Sequence, residues 1–386
     1  MHDIKKHYSG YIEGFYGKLL SWDERIRILK VLHDFNFNTY FYAPKEDPFH
    51  RFMWRKKFSS SWIRGFKKFA RKAKEYKIQL IAGISPGLDF QYQNEYLVNI
   101  TKKKEKTDFE ILISKLKQLI EFGSQNVAVL LDDIPENLVD VDELKSSEGS
   151  VHSHLINNIS KKLSMPIYFV PRIYACEIEH KNCNYMHDVF SNLDKKNSIF
   201  FCGKNIVEKS IQKNFFSEKL NTKKHEIIYW DNLYANDYCP KKVFLGTWYK
   251  RNPKLNIMVN LTGNVEIDTL NLYLVAQKRM NLTEAEIWKN AFKRFRIPNQ
   301  FLSVIKFFSP QNSFSIQEKD FFILEKLFFE ELEYLLWKWK SSLSLELFPF
   351  LLCLKQELEM YNNKTKIKRI IKTQTITLAK ILNKER

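Results

Sequence analysis

From the start of the chain to about residue 278, short apolar runs alternate with amphipathic segments, the pattern of βα repeats that build a parallel sheet. The apolar runs are Tyr11–Gly14, Thr39–Ala43, Gln79–Ile84, Val127–Leu131, Ile167–Val170, Ile199–Cys202, Ile227–Trp230 and Ile257–Val259. Taken as strands, they supply one for each position of a (β/α)8 TIM barrel. An open doubly wound sheet is disfavoured, because no glycine-rich phosphate turn follows the first run.

Helix starts are marked locally. Ser21 with Glu24, and Thr107 with Glu110, have the spacing of a capping box. Trp22, Ile26, Leu29 and Leu32 predict the buried face of a first helix, and Trp62, Phe66, Phe69 and Ala73 that of a second. Gly123 is expected to stop the helix that begins after Thr107. Beyond about residue 282 the spacing becomes helical throughout: Ile287, Ala291 and Phe292, then Phe321, Leu324, Leu327 and Phe328, then Leu332, Leu335 and Leu336. The expected organisation is a barrel over residues 1–278 and an α-helical C-terminal region over 279–386. The apolar faces of that region are expected to pack helix on helix or against the barrel, or to meet a protein partner or a second copy of the chain.

One strand end carries chemistry. Val127-Ala128-Val129-Leu130-Leu131 reads as a strand buried on both faces, and it runs straight into Asp132-Asp133. In parallel barrels, functional groups sit at the C-terminal ends of strands, so adjacent carboxylates there point to acid/base work. A turn or a helix cap is the competing reading of the same two residues.

Composition narrows the field. An apolar content of 44% with 15% aromatic residues excludes a disordered chain. The net charge of +18 raises nucleic-acid binding, but basic pairs such as Lys56-Lys57, Lys67-Lys68, Lys161-Lys162 and Lys241-Lys242 are scattered between apolar segments. A nucleic-acid footprint would be concentrated on one face or one helix, so a solvated basic surface is expected and no nucleic-acid partner. Five cysteines, Cys176, Cys183, Cys202, Cys239 and Cys353, form no CxxC pair and are expected to be reduced thiols. Cys176, His180, Cys183 and His187 lie close together, but their spacing matches no standard zinc pattern, and no metal or cofactor is expected. The polar segment Met1 to His7 has no apolar signal core, and no apolar run approaches the ~20 residues of a membrane span. A cytoplasmic protein without a membrane partner is the expectation.

If the runs close into a barrel, the residues just past them share one mouth. Those residues are Gly14-Phe15-Tyr16-Gly17, Lys45-Glu46-Asp47, Ser85-Pro86-Gly87, Asp132-Asp133, Tyr174, Gly203, Asn232 with Asp237, and Asn260. Amides, a lysine, a tyrosine and carboxylates suit sugar hydroxyls, while Phe15, Tyr16 and Trp230 offer aromatic walls for a sugar's C–H face.

These segments also resemble a known family. Gly10-Tyr11-Ile12-Glu13-Gly14-Phe15-Tyr16-Gly17, Asn38-Thr39-Tyr40-Phe41-Tyr42-Ala43-Pro44-Lys45-Glu46-Asp47, Gly83-Ile84-Ser85-Pro86-Gly87-Leu88-Asp89, Leu131-Asp132-Asp133-Ile134 and Trp230-Asp231-Asn232 with Ala235-Asn236-Asp237-Tyr238 are similar to the signatures of the O-GlcNAcases, glycoside hydrolase family eighty-four. The likeness runs in order through roughly residues 8–278.

The resemblance implies a retaining β-N-acetylglucosaminidase in which the substrate's 2-acetamido oxygen is the nucleophile and an oxazoline is the intermediate. Matched by motif, Asp132 accepts the acetamido N–H, and Asp133 protonates the leaving oxygen and then deprotonates water. The charge of Asp132 is expected to raise the pKa of Asp133. Tyr174 holds the acetamido oxygen, and Gly14, Lys45, Asn232, Asp237 and Asn260 bind hydroxyls beside Trp230. The implied substrate is GlcNAc linked to Ser or Thr of proteins. A hexosaminidase or hyaluronidase-like enzyme on glycans, or a non-catalytic GlcNAc-binding module, are the alternatives. The chain departs from the family pattern at Leu19-Leu20, at Pro171-Arg172-Ile173 before Tyr174, at Phe201-Cys202-Gly203 and at Leu261.

Overall fold

The computed structural model describes residues 7–92, 106–136, 146–179, 184–212, 225–310 and 329–361. Phe321, Leu324, Leu327 and Phe328, with His180, Cys183 and residues 1–6, lie outside the described residues. The chain forms two compact units, Met1–Asn232 with Lys250–Asn260, and Leu233–Tyr249 with Leu261–Arg386.

The first unit holds a closed barrel of eight parallel strands in sequence order. They are β1 (Ser9–Glu13), β2 (Thr39–Tyr42), β3 (Gln79–Ile84), β4 (Asn126–Leu130), β5 (Tyr168–Val170), β6 (Ser198–Phe201), β7 (Ile227–Asp231) and β8 (Ile257–Asn260). The barrel closes where β8 pairs with β1, Met258 opposite Gly10 and Asn260 opposite Ile12. Alternate residues point inward and fill the interior: Ile12, Phe41, Ala43, Ile81, Ala128, Leu130, Tyr168, Val170, Phe200, Cys202, Ile228, Trp230 and Met258 form one buried cluster. At its centre the Phe41 and Phe200 rings lie 4.6 Å apart, and Trp230 meets Phe41 edge-on at 5.7 Å.

Helices α1 (Trp22–Asp34), α2 (Ser60–Glu75), α3 (Asp108–Glu121), α4 (Glu148–Leu163) and α5 (Tyr185–Asn192) belong to the same unit. Both expected capping boxes are formed, at Ser21 with Glu24 and at Thr107 with Glu110. The α3 helix ends at Glu121, and Gly123 follows with a φ of 113° that glycine adopts without a steric cost. The buried side of α2 is the expected one, whereas α1 turns Arg25, Ile28, Leu29 and Leu32 inward and leaves Trp22 and Ile26 only half-buried. The cause is Glu13, which alternation directs out of the barrel under α1, where it needs a cation. Arg25 supplies it with a bidentate pair at 2.7–3.1 Å, and the Tyr40 hydroxyl adds a third donor at 2.7 Å.

A second cation is buried outside the barrel. Lys115 on α3 lies 3.6 Å from the centre of the Phe58 ring and donates to the Lys56 carbonyl at 2.8 Å. Burial pulls its pKa down to about 7, against the opposing pull of Asp47. Below that pH the folded state holds an ammonium it disfavours. From about 7 toward the ordinary lysine value the unfolded chain binds more protons than the folded one, so stability rises with pH. Lys115→Met should therefore raise the thermal midpoint at pH 6, by the equivalent of about 1 kcal/mol or more. The gain should shrink by pH 9; a gain independent of pH would place the effect elsewhere.

The second unit carries α6 (Val265–Arg279), α7 (Glu284–Phe295), α8 (Phe301–Phe308) and α9 (Ser342–Tyr361). Ile287 and Ala291 of α7 are fully buried, as are Leu332, Leu335 and Leu336 to within a few per cent. Glu346 near the start of α9 accepts from the backbone N–H groups of Glu266 and Ile267 at 2.8 and 3.0 Å, neutralising the positive end of α6. Among the described residues no helix is long and apolar enough to cross a membrane. No group of three His, Cys, Asp or Glu side chains among them is placed to hold a metal ion.

Candidate active site

Asp132 and Asp133 leave β4 at its C-terminal end, and the other ends of the first unit surround them. Asp132 is buried, and Lys45, from the loop after β2, reaches one of its oxygens, Oδ2. The other, Oδ1, is buried without a hydrogen-bond partner among the described residues. Asp133 is more open and lies 3.7 Å from the same Lys45 ammonium. Its Oδ1 accepts from Tyr174, beyond β5, at 2.8 Å, and its Oδ2 from Tyr16, beyond β1, at 2.8 Å.

These neighbours separate the two carboxyls. Burial pushes the pKa of Asp132 up, against Lys45, and the charge of Asp133 adds to the rise. Burial acts the same way on Asp133, but Lys45 and the Tyr174 and Tyr16 donors outweigh it and hold that carboxyl below its ordinary range. The expected rise at Asp133 is therefore not found in the unliganded site. Like-charge repulsion is felt by the member that receives fewer donors, and that member is Asp132. Burial and the Asp133 charge push both tyrosines up, so each stays protonated and can only donate to the carboxylate.

A second group lies across β7, β8 and β1. The Trp230 indole donates to Asn232 Oδ1 at 2.9 Å, and Asn260 Nδ2 donates to the same oxygen at 2.9 Å. Asn260 Oδ1 in turn accepts the Gly14 backbone N–H at 3.3 Å, and Asn232 Nδ2 donates to the Ile206 carbonyl at 3.0 Å. Because an indole can only donate, the chain fixes which way both amides face. Gly14 is required here: a Cβ would lie 2.2 Å from the Trp230 ring. Asp237 belongs to the second unit, half-buried, with its Oδ1 accepting the Tyr238 N–H at 3.0 Å.

The remaining charged groups of the strand-end segments are committed to structure. Asp47 receives the Tyr42 hydroxyl and the Trp62 indole, and Asp231 forms a bidentate pair with Arg251 at 2.9–3.0 Å. His50 and Arg51 were not singled out by the sequence, yet both are buried, and Arg51 lies beside the pair. His50 Nδ1 lies 2.8 Å from the Gly83 carbonyl, and burial pulls its pKa down to about 3, so the ring is neutral. Arg51 contacts both Tyr16 and the Asp133 backbone. The one available signal was a His-Arg pair five and six positions past Lys45 inside an aromatic loop, which in a single sequence reads as surface charge. The departure Arg172 ties the end of β5 to Glu148 of α4 at 2.6–2.7 Å and approaches Glu136 at 3.6 Å.

A closed parallel barrel with a carboxylate pair, one member buried and one open, at the C-terminal ends of its strands is the layout of a (β/α)8 enzyme. The family model described as beta-N-acetylglucosaminidase matches residues 9–307, and the chain belongs to that family of glycoside hydrolases. Two curated relatives, protein O-GlcNAcase of Mus musculus and of Rattus norvegicus, are each 32% identical over 252 residues, covering 64% of this chain and 26% of the relative. The chain thus spans about a quarter of the length of these relatives. Among solved structures, an Asp→Asn variant of an O-GlcNAc hydrolase from Thermobaculum terrenum aligns with a TM-score of 0.73 at 22% identity, over 92% of this chain and 82% of that one. That likeness is one of fold.

Proposed function

We propose that the chain is a retaining β-N-acetylglucosaminidase that uses the substrate's own acetamide as nucleophile and removes GlcNAc from Ser or Thr of proteins. The observation that carries the mechanism is the buried, unpartnered Oδ1 of Asp132. A buried acceptor left unpaired costs about 1–3 kcal/mol, and an acetamido N–H presented by a bound sugar removes that cost. With Lys45 on its other oxygen, Asp132 is held in one orientation and stays anionic as the acetamido nitrogen becomes positive in the oxazolinium-like transition state.

Asp133 is the proton carrier, donating to the leaving oxygen and later accepting from water. Tyr174 stands beside it, placed to transfer its hydrogen bond from Asp133 to the acetamido oxygen when the sugar binds. A nucleophile tethered within the substrate gains effective concentration worth up to about 7–11 kcal/mol, so the protein needs no nucleophile of its own. Consistent with this, Glu13, Asp47 and Asp231, the other buried carboxylates at the barrel's strand ends, are each held by structural donors. Asn232, Asn260 and the Gly14 backbone form a polar floor beside Trp230, and with Lys45 they are the proposed hydroxyl-binding groups of the first unit; Asp237, to which the family motif gives the same role, belongs to the second unit. A protein acceptor is the substrate reading that the relatives' names support.

A thiazoline mimic of the oxazoline tests the mechanism. It should inhibit hydrolysis of an aryl N-acetyl-β-glucosaminide competitively, and Asp132→Asn should weaken its binding about tenfold, the loss of one charge-assisted hydrogen bond. Turnover that is indifferent to the mimic would rule out the acetamide route. Stronger activity on free oligosaccharides than on GlcNAc-bearing peptides would overturn the protein substrate.

A further inference from the structure

One side chain holds Asp133 both directly and through Tyr16. Arg51 Nη2 donates to the Asp133 backbone carbonyl at 2.9 Å, and Arg51 Nη1 donates to the Tyr16 hydroxyl at 2.8 Å. A guanidinium has only donors, so the Tyr16 oxygen must accept from it, and the single hydroxyl proton is left for Asp133 Oδ2. The backbone contact falls where it is needed. Asp133 has a φ of 52°, a left-handed conformation that disfavours a residue with a Cβ by about 1–2 kcal/mol.

Arg51 is 5% exposed, and its direct polar contacts among the described residues are those two oxygens, with Nε left unpartnered. A buried guanidinium with no carboxylate bonded to it is a poor device for stability. Its nearest anionic purpose is the Asp132-Asp133 pair, whose charge it offsets.

We propose that Arg51 is the positioning residue for Asp133, fixing the backbone that aims the carboxyl and forcing Tyr16 to spend its proton on it. The idea rests on the reading of Asp133 as the proton carrier. The charged and titratable groups facing Asp133 are Asp132, Lys45, Tyr16, Tyr174 and Arg51; His50 and Cys202 nearby are neutral, both desolvated by burial. Removing Arg51 takes away a positive charge and releases the Tyr16 proton, and both changes favour the protonated carboxyl.

The test is the titration of Asp133 in the full chain, followed by carbon-13 carboxyl shifts with Asp133→Asn for assignment, alongside the pH profile of kcat/KM on an aryl GlcNAc substrate. Arg51→Gln should raise the Asp133 midpoint and the alkaline limb together by about one pH unit. Arg51→Lys, which keeps the charge, should shift them less. Tyr16→Phe, at a side chain 38% exposed, should shift them the same way without disturbing the core. An unmoved midpoint in both Arg51→Gln and Tyr16→Phe, with activity lost equally at all pH values, would reduce Arg51 to a structural residue. Absence of turnover by the unmodified chain would sink the proposed function instead, and the titration alone would still decide the clamp.

Discussion

Asp133→Ala should lower kcat/KM for a GlcNAc substrate with a poor leaving group, such as a serine or alkyl glycoside, by about 10²–10⁴, the usual contribution of a positioned acid. The loss should become much smaller for a dinitrophenyl glycoside, whose leaving group departs without a proton. Measuring kcat/KM against leaving-group pKa checks this, because the variant's plot should be far steeper than that of the unmodified chain. A loss of the same size for every leaving group would assign Asp133 a binding or structural role.

The pH dependence follows from the site's geometry. In the unliganded arrangement Lys45, Tyr174 and Tyr16 hold the Asp133 carboxyl below its ordinary range. An acid that works on a bound sugar must hold its proton more tightly. Binding supplies that change if the acetamide draws away the Tyr174 hydrogen bond and the sugar excludes water from the mouth. The alkaline limb of kcat, which reports the complex, should therefore lie at higher pH than that of kcat/KM, which reports the free enzyme.

The second large effect concerns folding. Arg25→Met should destabilise the first unit by about 3–5 kcal/mol, because it strands the Glu13 carboxylate, fully buried between β1 and α1, with only the Tyr40 hydroxyl as donor. Thermal unfolding would show this as a fall of about 2–4 °C per kcal/mol. The double substitution Glu13→Gln with Arg25→Met should recover most of the loss, since the stranded charge is then gone. If the single and double variants were equally unstable, the packing of Arg25 over the Trp22 and Tyr42 rings, rather than the ion pair, would be the main contribution.

Two kinds of carboxylate look alike in this sequence. Glu13 and Asp231 end their strands as Asp132 and Asp133 follow theirs, and all four lie in the segments that resemble the family. Alternation separates them only after the barrel is closed. Ile12 and Trp230 point inward, so Glu13 and Asp231 point outward, and each acquires an arginine. Asp132 and Asp133 stand past the last residue of β4, where the chain is free to turn them toward the mouth.

Legible in the sequence was the repeat: eight apolar runs of strand length, two capping boxes and Gly123 are local signals, set by residues a few positions apart. It also pointed to Asp132-Asp133 and their neighbours at the strand ends as the residues that would share one mouth, because every strand of a parallel barrel delivers its C-terminal end to one side. The tertiary structure alone decided which charges meet at the barrel mouth and which are tied into supporting pairs. The clamp of Arg51 on Asp133, the division of donors that raises Asp132 and lowers its neighbour, and the capture of Glu13 by Arg25 join residues 12–117 positions apart. No spacing rule connects such residues. Their pairing follows from which side chains the closed barrel leaves without water, and a group deprived of water takes whichever partner the fold brings within reach.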